Sequence, residues 1–317
     1  MAAPRPTRAR APPRAPDPAR VADHVVELEG QRLRLRNLDK VLYPATGFTK
    51  AEVIDYYARI APVMLPHIAG RGITLKRFPD GVEGGSFFEK RCPSHRPDFV
   101  GTVDGPGDRG GAIGYCDLDS VPALVWAANL AALEIHAPMA RGQDIDSPQL
   151  CVFDLDPGAP ATVVECARVA LWLRDVLGGI GLEAVPKTSG SKGLQVYVPL
   201  NRPHTHDHAS GFAHAVARVL EKHHPEDVTS VMRRDLRSGK VFIDWSQNSR
   251  HKTTVAVYSL RARPEPTVSA PVTWDEVALC AAGAPLSFTA PEVLERAERH
   301  GDLFEACTQV VQQLPPT

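Results

Sequence analysis

Leu150-Cys151-Val152-Phe153-Asp154-Leu155-Asp156-Pro157-Gly158 is the stretch on which the fold turns. Four apolar residues lead into two carboxylates one residue apart, and a Pro-Gly turn follows. In a strand, residues i and i+2 face the same side, so Asp154 and Asp156 project together. Carboxylates held that close repel, and a divalent cation between them removes the repulsion. Hard oxygen ligands suit Mg²⁺ or Mn²⁺ carried with substrate phosphates. A second apolar run, Val241-Phe242-Ile243-Asp244-Trp245, brings a third acid to a strand end. Three such acids meet the need of two-metal phosphoryl transfer: one ion activates an attacking hydroxyl and the other holds a triphosphate. An Asp-x-Asp pair alone is more often a helix cap or a turn; the third acid sharpens it.

Thr188-Ser189-Gly190-Ser191-Lys192-Gly193 joins two strand-like runs. Its glycines let amides turn toward an anion, its hydroxyls donate, and Lys192 adds charge. It lacks GxxxxGK spacing, and without the acids it would be a plain hairpin turn. Basic residues gather locally: Lys40 and Lys50 around Tyr43-Pro44, Lys76-Arg77, then Arg233, Arg234, Arg237 and Lys240 before Asp244, with Arg250, Lys252, Arg261 and Arg263 after it. Each alone is a solvated surface charge; together they suit a triphosphate and a phosphodiester backbone. Phe87-Phe88 beside Glu89-Lys90-Arg91 reads as an aromatic platform for a base. Alternation lets only one of the two rings be core.

The 317 residues are 43% apolar, enough for a real core, and the net charge of −1 excludes a polycation. The six cysteines at 92, 116, 151, 166, 280 and 307 lack CxxC spacing, which predicts reduced thiols, a cytoplasmic setting and no disulfide framework. Cys92, His95 and Cys116 are three soft groups, one short of a closed zinc site. The histidines at 204, 206, 208, 214, 223 and 224 read as a solvated helix face. No apolar run reaches the ~18 residues of a membrane span. Residues 1–22 read as a disordered tail, with five Arg and six Pro in the first twenty positions and no secretory h-region.

From residue 23 the pattern predicts a hairpin over 25–35, then a helix capped by Thr49-Lys50-Ala51-Glu52. Strands follow over 73–78 and 86–90, and an apolar helix over 122–135 ending at His136. After the strand at 150–155, Thr162-Val163-Val164-Glu165 caps a helix to about 177. Strands over 182–187 and 194–199, a helix over 206–223, strands near 228–233, 240–245 and 254–260, and short helices over 273–307 complete the chain. Helices interleaved with hairpin-like strands predict an α+β fold with mixed sheets.

The chain resembles the polymerase domain of bacterial ligase D, within the archaeo-eukaryotic primase superfamily, from about residue 30 to 307. The resemblance rests on Asn37-Leu38-Asp39-Lys40-Val41-Leu42-Tyr43-Pro44, Ser86-Phe87-Phe88-Glu89-Lys90, the Asp154–Gly158 stretch, Thr188–Leu194, Phe242-Ile243-Asp244-Trp245-Ser246-Gln247-Asn248 and Tyr258-Ser259-Leu260-Arg261. It implies a primase-like core over 23–307: an α/β module over about 23–150, an RRM-like module over about 150–265 carrying the acids, and a helical segment over about 266–307. Asp154, Asp156 and Asp244 would hold two Mn²⁺ or Mg²⁺ ions. Lys76, His136, Ser189, Ser191, Lys192, Arg237, Gln247 and Arg261 would line the NTP/dNTP pocket. Lys40 and Lys50 would grip the 5′-phosphate of a downstream DNA strand, while Phe88, with Phe87, would stack on the template.

The implied function is template-dependent extension of primers at gaps or double-strand breaks, ribonucleotides preferred. It would act in the bacterial cytoplasm with a separate ATP-dependent ligase and with Ku in non-homologous end joining. No KxDG ligase motif follows, so a stand-alone polymerase chain is expected. The family usually has His where Gln195 stands; Gln can donate to an incoming phosphate but carries no charge, with Lys192 and Arg261 as compensating cations. Two alternatives remain: a weak or inactive end-binding module recognising 5′-phosphates, which Gln195 favours, and a DxD sugar-nucleotide transferase, which gives Lys40 and Lys50 no role.

Overall fold

The computed structural model describes residues 23–107 and 110–316. The Arg/Pro-rich segment 1–22 lies outside the described residues. The strand Leu150–Pro157 is the centre of a five-stranded mixed sheet in the order Val185–Thr188, Leu194–Pro199, Leu150–Pro157, Val241–Asp244, Val228–Thr229; only the last pair is parallel. In chain order this unit runs strand, helix Val163–Gly179, two strands, helix His206–His223, then two strands, as expected for an RRM-like module.

Alternation along the central strand decides what each face meets. Cys151, Phe153 and Leu155 point into one core with Leu194, Val196, Ile243 and both helices, among them Ala170, Leu173 and Phe212. Val152 and Tyr197 point the other way, into a second core built around the helix Lys50–Ile68. Asp154 and Asp156 share that second face at the open end of the strand. Both capping boxes form: Thr49 with Glu52, and Thr162 with Glu165.

The second sheet is antiparallel, in the order Thr254–Val255, Ala132–Ala137, Thr74–Arg77, Phe87–Glu89. Tyr57 ties it to the loop beyond: its hydroxyl donates to the Leu133 carbonyl at 2.7 Å and accepts from the Leu260 amide at 3.1 Å. The residues after each of these, Glu134 and Arg261, are thereby set side by side.

Four expectations are corrected. The helix over 122–135 stops at Asn129, turns at Ala131 (φ 57°), and gives way to the strand Ala132–Ala137 that carries His136. That strand is buried on both faces, and such a strand reads as a continuous apolar run, like a buried helix. Cys92 and Cys116 form a disulfide, which ends both the zinc reading and the expectation of no disulfide. Phe87 and Phe88 are both exposed, at 45% and 56%, because they sit on an edge strand that pairs with no further strand among the described residues. The histidine-rich helix is not wholly solvated: His206 is buried, with its ring nitrogens against the carbonyls of Asn248 and Ile145.

Candidate active site

Register places the acids in one lateral row. Asp154 lies directly across from Asp244 on one side and from Gln195 on the other, and Gln195 lies across from Lys187. Directly paired residues share a sheet face, so Lys187, Gln195, Asp154 and Asp244 form a four-strand row, with Asp156 two residues along. Burial, with the nearby charge of Asp156, pushes the Asp154 carboxyl up to about 7. Burial and the Asp244 charge raise Asp156 as well. These acids repel in the low-dielectric floor of a cleft, the condition that divalent cations relieve.

The donor set is oxygen only and suits Mg²⁺ or Mn²⁺. Among the described residues no three acidic, His or Cys side chains yet converge as a ready ligand set. Asp244 is engaged by its own turn: its Oδ1 accepts from the Ser246 amide at 3.0 Å and hydroxyl at 2.6 Å, and its Oδ2 from Gln247 Nε2 at 3.1 Å. Asp244 thus caps the turn Trp245–Asn248. Asn248 fixes that turn to the central strand. Its Oδ1 accepts from the Val152 amide at 2.7 Å and its Nδ2 donates to the Val152 carbonyl at 2.8 Å.

A cleft of about 290 Å³ rises over the row, lined by Asp154, Asp156, Ser189, Ser191, Lys192, Gln195, Gln247, Arg261 and, from the second sheet, His136. Nine of the residues expected at the acids or the nucleotide therefore meet. The glycine turn reaches the cleft only because Gly193 is glycine: a Cβ there would lie 2.0 Å from the Leu155 carbonyl oxygen. Gly190 adopts φ +65° against Arg261 and Val268. Two of the turn's amides are turned inward. Those of Ser191 and Gly193 donate to Ser189 Oγ at 3.2 and 3.1 Å, which leaves the exposed Ser191 and Lys192 side chains as the donors. Arg237 stands apart from the cleft lining. Its guanidinium stacks on Phe242 at 3.6 Å and it donates to the Met232 carbonyl. Arg237 Nε and Arg261 Nε are buried without a hydrogen-bond partner.

Two residues at the site escape a sequence reading. Glu134, 2% exposed, is the hub of the nucleotide wall. Its Oε2 accepts from His136 Nε2 at 2.9 Å and lies 3.6 Å from Lys76 Nζ; its Oε1 accepts from the Ala262 amide at 3.1 Å and lies 3.4 Å from Arg261 Nε. Burial alone would raise this carboxyl, but the His136 hydrogen bond and the Arg261 charge outweigh it and bring it down to about 2. Burial lowers His136, so the neutral ring donates through Nε2 and leaves Nδ1 as an acceptor. Lys76 in turn lies 5.4 Å from the Phe88 ring centre, and the Phe88 ring meets His136 edge-on at 5.4 Å. Phe87 packs under Arg77.

Lys187 is the second. It is 1% exposed, and burial pushes it down to about 7. Its Nζ donates to Gln195 Oε1 at 2.5 Å, Ser269 Oγ at 2.6 Å and the Val255 carbonyl at 3.1 Å. Gln195 was expected to face an incoming phosphate. Instead its Oε1 also accepts from the Tyr197 hydroxyl, and the residue lies directly across from Asp154. For both hidden residues the available signal was the same: a charge inside a buried apolar run, Ala-Leu-Glu-Ile-His and Val-Pro-Lys-Thr.

A separate basic cleft of about 520 Å³ holds Lys40 and Lys50 with Arg32, Arg34, Arg36, Arg77 and His95. Burial, then the charges of Lys40, Arg36 and Arg77, lower Lys50 to about 8. Cations crowded to that degree favour an anion among them. Lys50 Nζ is held by the Arg36 carbonyl at 2.7 Å, and Lys40 pairs with the exposed Asp80 at 2.8 Å.

A family model described as LigD, primase-polymerase domain, matches residues 49–304. The chain is 48% identical over 278 residues to the multifunctional non-homologous end joining protein LigD of Mycolicibacterium smegmatis, covering 86% of this chain and 36% of that protein. It is 31% identical to the bifunctional LigD of Bacillus subtilis, covering 86% of this chain and 44% of the relative. The chain thus spans well under half the length of these relatives. The structure superposes on the polymerase domain from Mycobacterium tuberculosis ligase D in complex with DNA, with a TM-score of 0.83 and 45% identity. The match covers 89% of this chain and 100% of that one. An acid row beneath a cationic cleft, on this fold and at this identity, places the chain in the LigD primase-polymerase domain family of nucleotidyltransferases.

Proposed function

We propose that this chain extends the 3′ end of a primer at a DNA gap or break, copying a template and preferring ribonucleotides, with two Mn²⁺ or Mg²⁺ ions. The observation that carries this is the acid row under a cleft walled by Lys192, Arg261 and His136, with a second cationic cleft around Lys50. The relatives' role in end joining, and a solved relative that holds DNA, support it.

Asp154 and Asp156 would hold both ions and Asp244 one of them. When bound, the ions acidify the primer hydroxyl and neutralise the departing pyrophosphate. The 3′-oxygen bonds to the α-phosphorus as the bond from that phosphorus to the bridging oxygen breaks. Lys192, Ser191 and Arg261 would draw the triphosphate over the row. Phe88 and Phe87 offer faces to the template, and Lys50 with Lys40 binds a downstream 5′-phosphate that marks the gap. A DNA ligase would seal the product, with Ku at broken ends, in the bacterial cytoplasm. Inactivity is disfavoured, since Asp154, Asp156 and Asp244 are all present on two paired strands.

The test is extension of a one-nucleotide-gapped duplex with Mn²⁺, comparing ribo- and deoxynucleotides and 5′-phosphate with 5′-hydroxyl. Faster ribonucleotide addition on the phosphorylated gap is expected. No addition on any substrate would overturn the proposal, as would indifference to the phosphate for the Lys50 assignment.

A further inference from the structure

The row across the sheet does not end at the acids. Lys187 is the largest charged side chain in the interior with under 2% exposure, and all three of its hydrogen-bond acceptors are neutral. A lysine so placed is an expensive way to fill a core. One of the three atoms it holds is Gln195 Oε1, which the Tyr197 hydroxyl also reaches at 3.3 Å. With two donors on its oxygen, the Gln195 amide has one orientation: Nε2 faces away from Lys187, on the side of Asp154, its directly paired neighbour in the sheet. The reversed amide would set two hydrogens against Nζ and the tyrosine hydroxyl, and a lone pair against a carboxylate. The lysine can donate to Oε1 whether or not it carries its third proton.

We propose that Lys187 is a positioning residue for the acid site: through Gln195 it fixes the rotamer of Asp154, so that this carboxylate presents its remaining lone pairs to the divalent ions. The inference rests on the two-ion reading above and extends it to a residue that touches neither ion nor substrate.

The test is Mn²⁺ titration of the DNA-free, full-length protein by calorimetry, alongside thermal melting and extension kinetics, for wild type, Lys187→Met, Gln195→Met and the double variant. Lys187→Met keeps the stem and removes the donor. Its Mn²⁺ affinity should fall about tenfold, its extension rate should recover in part at high Mn²⁺, and its nucleotide KM should change less than twofold. Its melting temperature should fall by only a few degrees, because removing a buried charge offsets part of the cost of leaving Gln195, Ser269 and Val255 without that donor. Gln195→Met should match it, and the double variant should be no worse than either single one, because the two act in series. Mn²⁺ affinity within twofold of wild type in a folded Lys187→Met protein overturns the inference. So does an additive double variant. If Lys187→Met does not fold, Gln195→Met decides by the same criterion. Failure of the wild type to bind Mn²⁺ sinks the two-ion reading instead, which keeps the two failures distinct.

Discussion

Replacing Glu134 with Gln removes one charge and no volume from the wall that carries Lys76, His136 and Arg261. The carboxyl's drop from its ordinary 4.5 to about 2 corresponds to about 3 kcal/mol in favour of the folded state, at ~1.4 kcal/mol per pH unit. Because the folded pKa is depressed, that stability is fully present above about pH 4.5 and is lost as pH falls toward 2. A loss of ~3 kcal/mol is a large share of the 5–15 kcal/mol typical of a domain, yet leaves it folded, with a melting point lower by roughly 6–12 °C. The glutamine amide would also turn hydrogens toward one cationic neighbour, so the wall loosens and the nucleotide KM should rise about tenfold, a cost of ~1.4 kcal/mol. The assay is urea unfolding of both proteins from pH 7 down to pH 3.5, with KM measured at pH 7. The stability gap should be constant between pH 8 and 5 and narrow below 4.5. Equal unfolding midpoints at pH 7, or a gap that does not narrow in acid, would refute the assignment of Glu134 as the anionic hub.

Lys50→Ala should weaken the advantage of a 5′-phosphorylated gap by about tenfold, while extension of an unphosphorylated gap stays near wild type. In the wild type, a Lys50 lowered to about 8 binds a phosphate dianion best when protonated. The 5′-phosphate advantage should therefore be full below pH 7 and shrink as pH rises through 8; a flat profile to pH 9.5 would contradict this. Asp154→Ala should lose at least a thousandfold in extension rate, about 4 kcal/mol, yet bind 5′-phosphorylated DNA as before in a mobility-shift assay. Gly193→Ala forces a methyl against the Leu155 carbonyl. It should cost ~2–4 kcal/mol by denaturant titration and displace the Ser191–Lys192 turn.

The central strand and its acids were legible because alternation and burial coincide there: Phe153 and Leu155 in one core, Asp154 and Asp156 on the opposite face. The glycine turn and both capping boxes were legible for the same reason, since short-range chemistry dictates them. The strand Ala132–Ala137 was not, because burial on both faces erases its period. Pairing between Cys92 and Cys116 depends on a loop meeting the end of the strand Ala112–Cys116, which spacing does not encode. Gln195 illustrates the general limit. It was read as a contact for the incoming phosphates; its bond to Lys187 could not be read, because that lysine reaches it only across paired strands. The same holds for Glu134, whose two cations, Lys76 and Arg261, come from separate segments.

The central claim is that Asp154, Asp156 and Asp244 meet to share a pair of ions. Anomalous diffraction from crystals grown with Mn²⁺ and a non-hydrolysable nucleotide tests it most directly. The account expects two manganese peaks in contact with Asp154 and Asp156, one of them also bound by an Asp244 carboxylate that has swung off Ser246. Manganese found only elsewhere, or an Asp244 still capping its turn in a nucleotide-loaded site, would contradict it.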